Sequence, residues 1–390
     1  MGGAQMYTAN KAKYLSASGW KVHVFYSMKK GEILIPELKK YEQNCVPELA
    51  TFYPFLTSKK KKKVFRRFKE IIGESKDEII LESQLISQSF LAEEISSYLG
   101  ARHIINALEE RIPYLSSRRL AFLEYKLKRW EFMNAGEKRL KDVFKSSYKD
   151  EYLKYQHIGF FACSNVVSDE SVEYNFAQSD YSIISIGRLD KPYILPMTNE
   201  IVKFAKNHKT CTINVIYIGG SFDGKSEPVI SETFKDIENI NLYQLGYLYP
   251  VPRSVLNNVD VAIASANSVY VTSEQDIPTI VMDKNDSEAI GVYGYTTNNI
   301  LARTTEPQTA CSMLLEEALI KRKYPRKGEQ PIKSVDLESH FMKEVDYLDL
   351  SKDNKGYYDT KELYSNLERC KFRLMWYYFK CFKPGRLAIK

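Results

Sequence analysis

Residues 182–191 read Ser-Ile-Ile-Ser-Ile-Gly-Arg-Leu-Asp-Lys, a short apolar run that stops at a glycine and is followed at once by two cations. The β-branched residues of 182–186 predict a strand, and the glycine after Ile186 predicts a tight turn at its end. Working outward, apolar periodicity predicts a helix over 195–207, a strand over 212–218, a helix over 226–234 and a strand over 240–244. A short helix over 253–257 follows, then strands over 259–264 and 279–282. Strands that alternate with helices in this way build a parallel sheet flanked by helices.

The first half of the chain carries the same alternation. A helix is expected over 5–18, a strand over Lys21–Tyr26 (KVHVFY), a strand over Glu78–Leu81, a helix over 86–99 and a strand over Arg102–Asn106. A long, charged, helical stretch over 115–147 leads to another expected strand, His157–Asn165. Periodicity lapses near 169–179, which places the domain boundary there. The expectation is therefore two Rossmann-like α/β domains facing a cleft, with domains at 1–168 and 169–350 and a basic, amphipathic helical tail at 351–390.

The 390 residues are 44% hydrophobic, enough for two cored domains. No apolar run reaches the roughly 18 residues needed to span a bilayer, and no basic-then-apolar signal segment opens the chain. A cytoplasmic location is expected. The six cysteines are scattered, without metal-ligand spacing, and are read as reduced thiols. The net charge of +7 is concentrated: residues 59–69 (KKKKKVFRRFK) hold eight basic residues and no acid, and 369–390 hold seven more. Without them the chain has 41 basic against 49 acidic residues. Such local basicity predicts contact with one anionic surface, the inner face of a membrane, rather than with nucleic acid. Lys59, Lys60, Lys61, Lys62, Lys63, Arg66 and Arg67 are the expected membrane contacts, joined by Trp376 on the aromatic face of the terminal helix.

Gly2 and Gly3 open the first helix, where free backbone N–H groups and the helix dipole suit an anion. A turn of this kind normally follows a strand, and none is legible before Gly2, so the first strand of the N-terminal sheet is expected to be missing. Arg188 and Lys191, at the end of the 182–186 strand, suit a donor diphosphate, because fixed cations offset the charge that a leaving pyrophosphate gains. A surface ion pair is the competing reading.

The element Gly187-Arg188-Leu189 with Lys191 resembles the Gly-Arg-Leu…Lys element of GT-B glycosyltransferases, in particular the retaining enzymes of capsular-polysaccharide and lipopolysaccharide synthesis. Gly2-Gly3-Ala4-Gln5 is similar to their acceptor-side glycine loop and Asn165-Val166-Val167 to their interdomain hinge. Ile218-Gly219-Gly220, Leu245-Gly246-Tyr247 and Val259-Asp260-Val261-Ala262 are similar to their later strand-end landmarks, in the same order. The resemblance implies a GT-B fold, a nucleotide-diphosphate sugar as donor and a saccharide or lipid-linked acceptor. It further implies retention of configuration rather than inversion.

One departure stands out. The family carries two glutamates seven residues apart before a Gly-Ile-Pro element, and here Val271 falls at the second glutamate while Asp276 replaces the glycine. Ser265, Ser268 and Thr272 are the neutral hydrogen-bonding groups left to the donor site, with helix capping as the competing reading. Glu288 is an alternative carboxylate. Glu82, at the end of the Glu78–Leu81 strand, and Glu110, beside Glu109 after the Arg102–Asn106 strand, are candidate bases. No Asp-x-Asp pair, P-loop or metal motif is present, so neither metal nor cofactor is expected. Two other readings compete with a transferase: a catalytically degenerate relative that binds membrane or a partner, and a sugar-nucleotide epimerase on the same two-domain plan.

Overall fold

A computed structural model describes residues 3–27, 33, 35–109, 112–157, 167–168, 174–326 and 336–382. The chain divides into two compact units: Ala4–Ala162 with Leu337–Lys390, and Met1–Gly3 with Cys163–Asp336. The first is called the N-terminal unit here and the second the central unit.

The N-terminal unit begins with α1 (Gly3–Ala17) and the single turn α2 (Pro36–Lys39), followed by the basic helix α3 (Ser58–Ile72). Next come β1 (Ile80–Ser83), α4 (Ile86–Leu99) and β2 (Arg102–Asn106). The unit's outward pass closes with α5 (Ser117–Lys128), β3 (Phe132–Met133) and α6 (Glu137–Phe144). The three strands form a parallel sheet in the order β1-β2-β3. Gly100, in the left-handed region with φ 69°, ends α4 where a side chain would be strained.

Three expectations are corrected here. Lys21–Tyr26 is not a strand: its only sheet contact among the described residues is a single bridge from Tyr26 to Cys45. Alternation alone did not supply a partner edge for it. The helical stretch expected over 115–147 is broken by β3, because Trp130 and Asn134 take left-handed conformations that end and restart the helices. The helix expected to start at residue 5 starts at Gly3. The expected strand His157–Asn165 lies, beyond His157, outside the described residues.

In the central unit the short strand β4 (Val167–Ser168) precedes β5 (Tyr181–Ile186), α7 (Ile194–Asn207), β6 (Ile213–Ile218), α8 (Ser226–Phe234) and β7 (Ile240–Gln244). Then follow β8 (Val251–Pro252), α9 (Arg253–Asn257), β9 (Val261–Ala264) and α10 (Ser268–Ser273). The unit closes with β10 (Thr279–Met282), β11 (Ala289–Val292) and α11 (Cys311–Leu315). The main sheet has the order β11-β10-β9-β5-β6-β7, parallel except for β11. Both faces are covered, which is why β5 and β6 read as continuous apolar runs. Ile183, Val215 and Val261 pack on one side with Met197, Ile201 and Phe204 of α7, while Ile184, Ile216 and Ala262 pack on the other with Val255 and Leu256 of α9.

The chain then returns to the N-terminal unit with α12 (Leu337–Asp349) and α13 (Asn366–Phe382). Residues 337–350, which the sequence reading assigned to the second domain, thus fold with the first. Phe341 of α12 sits in one apolar cluster with Tyr7 and Leu108, and Tyr347 sits in another with Ile104 and Met133.

Beneath the N-terminal sheet lies a buried polar chain. His103 Nε2 meets Ser83 Oγ at 2.9 Å and His103 Nδ1 meets Glu93 Oε2 at 2.6 Å. Lys126 Nζ donates to Glu93 at 3.0 Å and lies 2.6 Å from Glu131. Burial opposes the charge on Glu93, but His103 and Lys126 outweigh it and hold the carboxyl at about 2. Burial, helped by the charge on Lys126, pushes His103 down to about 4, so the ring is neutral at pH 7.

Two consequences are measurable. In the unfolded chain a histidine takes its proton near 6.5, so His103 makes the folded state lose stability as pH falls from 6.5 towards 4. Glu93 extends that loss from 4.5 towards 2. Urea midpoints recorded across this range should fall steadily. Glu93→Gln at pH 7 leaves Lys126 under-compensated in the interior and should cost about 3–5 kcal/mol of stability.

Candidate functional site

In the central sheet, β5 has β6 on one side and β9 on the other. The chain leaves β5 through α7 to β6 and later comes back to β9, so strand order reverses between β5 and β9. At such a switch point the crossovers diverge and a crevice opens at the carboxyl ends of the strands. The residues there are Gly187 after β5, Gly219 and Gly220 after β6, Gly246 after β7, and Ser265 to Ser268 after β9.

The glycines are required by geometry. Gly187 has φ 149° and Gly219 φ 135°, both outside the ordinary range of L residues. A Cβ on Gly219 would lie 1.8 Å from the carbonyl oxygen of Gly187, and one on Gly220 would lie 2.8 Å from the ring of Tyr247. The turns are also tied together: Gly187 N–H donates to Ile218 O at 2.8 Å, Gly219 N–H to Gly246 O at 2.7 Å, and the Tyr247 hydroxyl to Gly220 O at 2.8 Å. Across the switch point, a Cβ on Gly187 would stand 3.6 Å from Ser268 Oγ, so the β5 and β9 turns face each other closely.

Arg188 is half-exposed and pairs with Asp190 at 3.3 Å. The surface ion pair weighed against a ligand role is therefore present, although at 44% exposure the guanidinium keeps N–H groups towards solvent. Lys191 follows it in the turn, half-buried. Ser265 is buried, and its hydroxyl has no hydrogen-bond partner among the described residues. Such an unmet group at a strand end is a place where a ligand oxygen is favoured. Ala266 beside it has φ 59°, a strained value for a residue with a Cβ, in the turn that brings Ser268 round.

Thr272 does not join this group. It is fully buried, and its hydroxyl is taken up by the carbonyls of Ser268 and Val269 and by the hydroxyl of Thr279 at 2.8 Å. Val271, where the family resemblance calls for a glutamate, is buried as well. Glu288 is half-buried just before β11. Burial, then the charges of Glu200 and Glu288, push the Cys311 thiol at the start of α11 up.

In the N-terminal unit, the carboxyl ends of β1 and β2 carry a second cluster. Glu82 accepts from Lys11 Nζ at 2.5 Å and from Asn106 Nδ2 at 3.2 Å. Lys11 also lies 2.7 Å from Glu344, which accepts from the Tyr7 hydroxyl at 2.5 Å and meets His340 Nε2 at 3.0 Å. Burial opposes the charge on Lys11, but Glu82, Tyr7 and Glu344 together hold its pKa well up. Glu344, opposed by burial but held by Lys11 and His340, stays ionised down to about 2. Glu82 is thus one end of an ion-pair network, and its carboxylate oxygens are already engaged by Lys11 and Asn106.

Glu110 and Gly2 lie outside the described residues, while Gly3 is the first residue of α1. Glu109 uses one carboxylate oxygen to accept the Ile86 N–H at 2.8 Å, at the start of α4, and burial raises its pKa. Sequence reasoning missed Tyr7, Lys11, Asn106 and Glu344. Tyr7 and Lys11 stand four apart on α1, a spacing that shares a helix face. Glu344 gives no local signal, since only the return of α12 brings it to this site.

The expected membrane cations sit on α3, whose apolar side buries Val64 and Phe68. Lys61 turns inward to Glu94 at 2.9 Å and is not open to an anionic surface, while Lys63 is exposed and pairs with Glu48 at 2.7 Å. Arg67 lies 3.7 Å from Glu70 and donates to Gln43 O. Lys59, Lys60, Lys62 and Arg66 are exposed, with no ion pair among the described residues. On α13, Phe372 packs against Phe52, Phe55 and Tyr364 next to the start of α3, whereas Leu367 and Leu374 are more than two-thirds exposed. The Trp376 side chain lies outside the described residues.

Two α/β units, one built round a doubly covered sheet with this switch point, define a two-domain, Rossmann-like fold of the GT-B class. Among solved structures the chain is similar to a glycosyltransferase from Rickettsia africae ESF-5, at 13% identity and a TM-score of 0.54 over 90% of this chain and 96% of that one. It is also similar to the lipopolysaccharide outer core galactosyltransferase WaaB in its apo form, at 12% identity and a TM-score of 0.50 over 88% and 95%. A UDP-GlcNAc 2-epimerase from Neisseria meningitidis bound to UDP-GlcNAc follows at 11% identity and a TM-score of 0.49 over 88% and 96%. No protein-family model and no curated protein matches the chain. At such identities the likeness is one of fold.

The close approach at the switch point makes Gly219 the most sensitive position of the site. Gly219→Ala should force the β5 and β6 turns apart and lower the thermal midpoint by several degrees, as expected for a loss of about 1–3 kcal/mol at a strained site. Gly224→Ala is the control: its φ is also positive, at 69°, but it has open space around it, so it should cost less.

Proposed function

We propose that the protein is a glycosyltransferase that takes a sugar from a nucleotide-diphosphate donor and passes it to a lipid-linked saccharide acceptor. The observation that carries this reading is the β5/β9 switch point, where the Gly187 turn faces Ser268 and the strand ends carry Arg188, Lys191 and the unmet Ser265 hydroxyl. The fold shared with the Rickettsia glycosyltransferase and with WaaB supports it.

In this reading the donor occupies the central unit. As the bond from C1 to the diphosphate oxygen breaks, the acceptor oxygen bonds to C1 on the same face and its proton passes to the candidate base. Negative charge then grows on the departing diphosphate, where Arg188 and Lys191 offset it. Ser268, across from Gly187, and Ser265 supply neutral hydrogen bonds in place of the family's ribose carboxylate. Glu288 remains the alternative carboxylate and Glu110 the candidate base, with Glu82 holding Lys11. Retention of configuration is part of the proposal, as are independence from metal and a place in capsule or lipopolysaccharide synthesis.

The acceptor side belongs to the N-terminal unit, and its basic helix supports attachment to an anionic membrane. Lys59, Lys60, Lys62 and Arg66 would meet lipid headgroups while Leu367 and Leu374 of α13 meet the acyl boundary. No helix among the described residues is long and apolar enough to cross a membrane. One observation favours a second reading, a relative that binds without catalysis: the carboxylate of Glu82 is already engaged by Lys11.

Donor binding separates the two. Calorimetry with a panel of nucleoside diphosphates should find one that binds, and Arg188→Ala/Lys191→Ala should weaken it at least tenfold, since each charge-assisted hydrogen bond contributes about 1.5–3 kcal/mol. A folded protein that binds none of them would leave the binding-only reading. For the membrane arm, replacing Lys59, Lys60, Lys62 and Arg66 by Gln should weaken binding to vesicles containing anionic lipid by about 1 kcal/mol per residue, with little change for Lys61→Gln. Co-sedimentation measures both.

A further inference from the structure

The N-terminal sheet has a second site at its opposite edge. At the amino ends of β1 and β2 the structure contains a half-open cavity of about 280 Å³, lined by Glu78, Arg102, His103, Lys126, Arg129 and Glu131 and bordered by the loop from Lys352 to Tyr357. The space is several times what one water occupies in the liquid, about 30 Å³. It lies wholly within one unit and uses no residue of the switch point.

Its charge is one-sided. Arg102, Lys126, Arg129, Lys352 and Lys355 face it with only Glu78 and Glu131 as lining carboxylates. Adding Glu93, which pairs with Lys126 from behind, leaves the balance positive. His103 is neutral, since burial and Lys126 hold its pKa at about 4.

The wall is also rigid. Arg102 Nε lies 2.9 Å from Glu78 in an ion pair, and its Nη1 donates to the Ser351 hydroxyl at 2.9 Å and to the Leu348 carbonyl. Arg129 bonds Glu131 at 3.0 Å and the carbonyls of Lys355 at 3.2 Å and Gly356 at 3.4 Å. Asn354 donates to Arg129 O and to Glu131, which ties the loop down at a second point. Lys352 and Lys355 are exposed on this fixed loop and have no ion pair among the described residues.

These details select the class of ligand. The Arg129 fork is taken by Glu131 and by the loop carbonyls, whereas Arg102 gives Nη1 to the Leu348 carbonyl and the Ser351 hydroxyl and has its Nε beside Glu78 without a hydrogen bond to it. The exposed ammonium groups of Lys352 and Lys355, with the Arg102 guanidinium beside them in the lining, suit an anion with several oxygens and more than one charge. We propose that this cavity binds a phosphate-type anion, independently of the nucleotide-sugar site.

The test is calorimetric titration of the full chain with inorganic phosphate at constant ionic strength. The protein would carry Arg188→Ala/Lys191→Ala, so that binding at the switch point does not contribute. Saturable binding is expected, and Lys352→Gln/Lys355→Gln should weaken it at least tenfold while Lys59→Gln/Lys60→Gln leaves it unchanged. Lys352 and Lys355 are exposed, and circular dichroism would confirm that the double variant is folded; Lys352→Arg/Lys355→Arg should retain binding. The proposal is overturned if phosphate does not bind, if removal of Lys352 and Lys355 has no effect, or if the only phosphate recognised is that of lipid headgroups in vesicles.

Discussion

The parallel pairing of β5 with β9 is the constraint on which the central unit depends. Ile183 pairs with Val261 and Ile184 with Ala262, while the other edge of β5 is held along its length by β6. With both neighbours fixed, the turn after β5 can leave in only one way, and it does so through Gly187. That forces Gly219 to pass within reach of the Gly187 carbonyl, a contact no other residue permits. Arg188 and Lys191 follow in the same turn, so the backbone geometry that closes the sheet also delivers the cations. Site and fold are one construction here.

The N-terminal unit is organised by buried charge rather than by close backbone approach. One network joins Lys126, Glu93, His103 and Ser83 beneath the sheet, and another joins Lys11, Glu82, Glu344 and Tyr7 at its carboxyl edge. Buried ion pairs are weak evidence of stabilisation, because desolvation offsets most of the attraction. Their geometric effect is clearer: Glu344 can satisfy Lys11 and Tyr7 only if α12 returns to this unit. The network therefore fixes where the end of the chain docks, and Arg102 and Arg129 do the same for the loop after α12 through its carbonyls.

What could be read in advance follows from how local each feature is. The elements of the central unit were legible because strands buried on both faces leave apolar runs, and β7, α8, α9 and β10 fall where periodicity puts them. Gly187, Arg188 and Lys191 were legible because they adjoin such a strand. The strand predicted at Lys21–Tyr26 failed because a strand needs a partner edge, which no alternation pattern encodes. Thr272 looked like a ligand and turned inward, since a hydroxyl on a short helix satisfies itself locally before it can meet a ligand. Lys61 and Lys63 belonged to a basic run in sequence and meet Glu94 and Glu48 in space. Glu344 was beyond reach altogether, because its role rests on contacts 333 to 337 positions away.

The central claim is that the β5/β9 switch point is where a nucleotide diphosphate sits, and hydrogen–deuterium exchange with and without the bound nucleotide addresses it most directly. The account predicts slowed exchange at the backbone amides of Gly187 to Leu189, Gly219 to Ser221 and Ser265 to Val269, with α4 and α5 unchanged. Nucleotide binding accompanied by slowed exchange only in the N-terminal unit, with the three central turns unaffected, would contradict it.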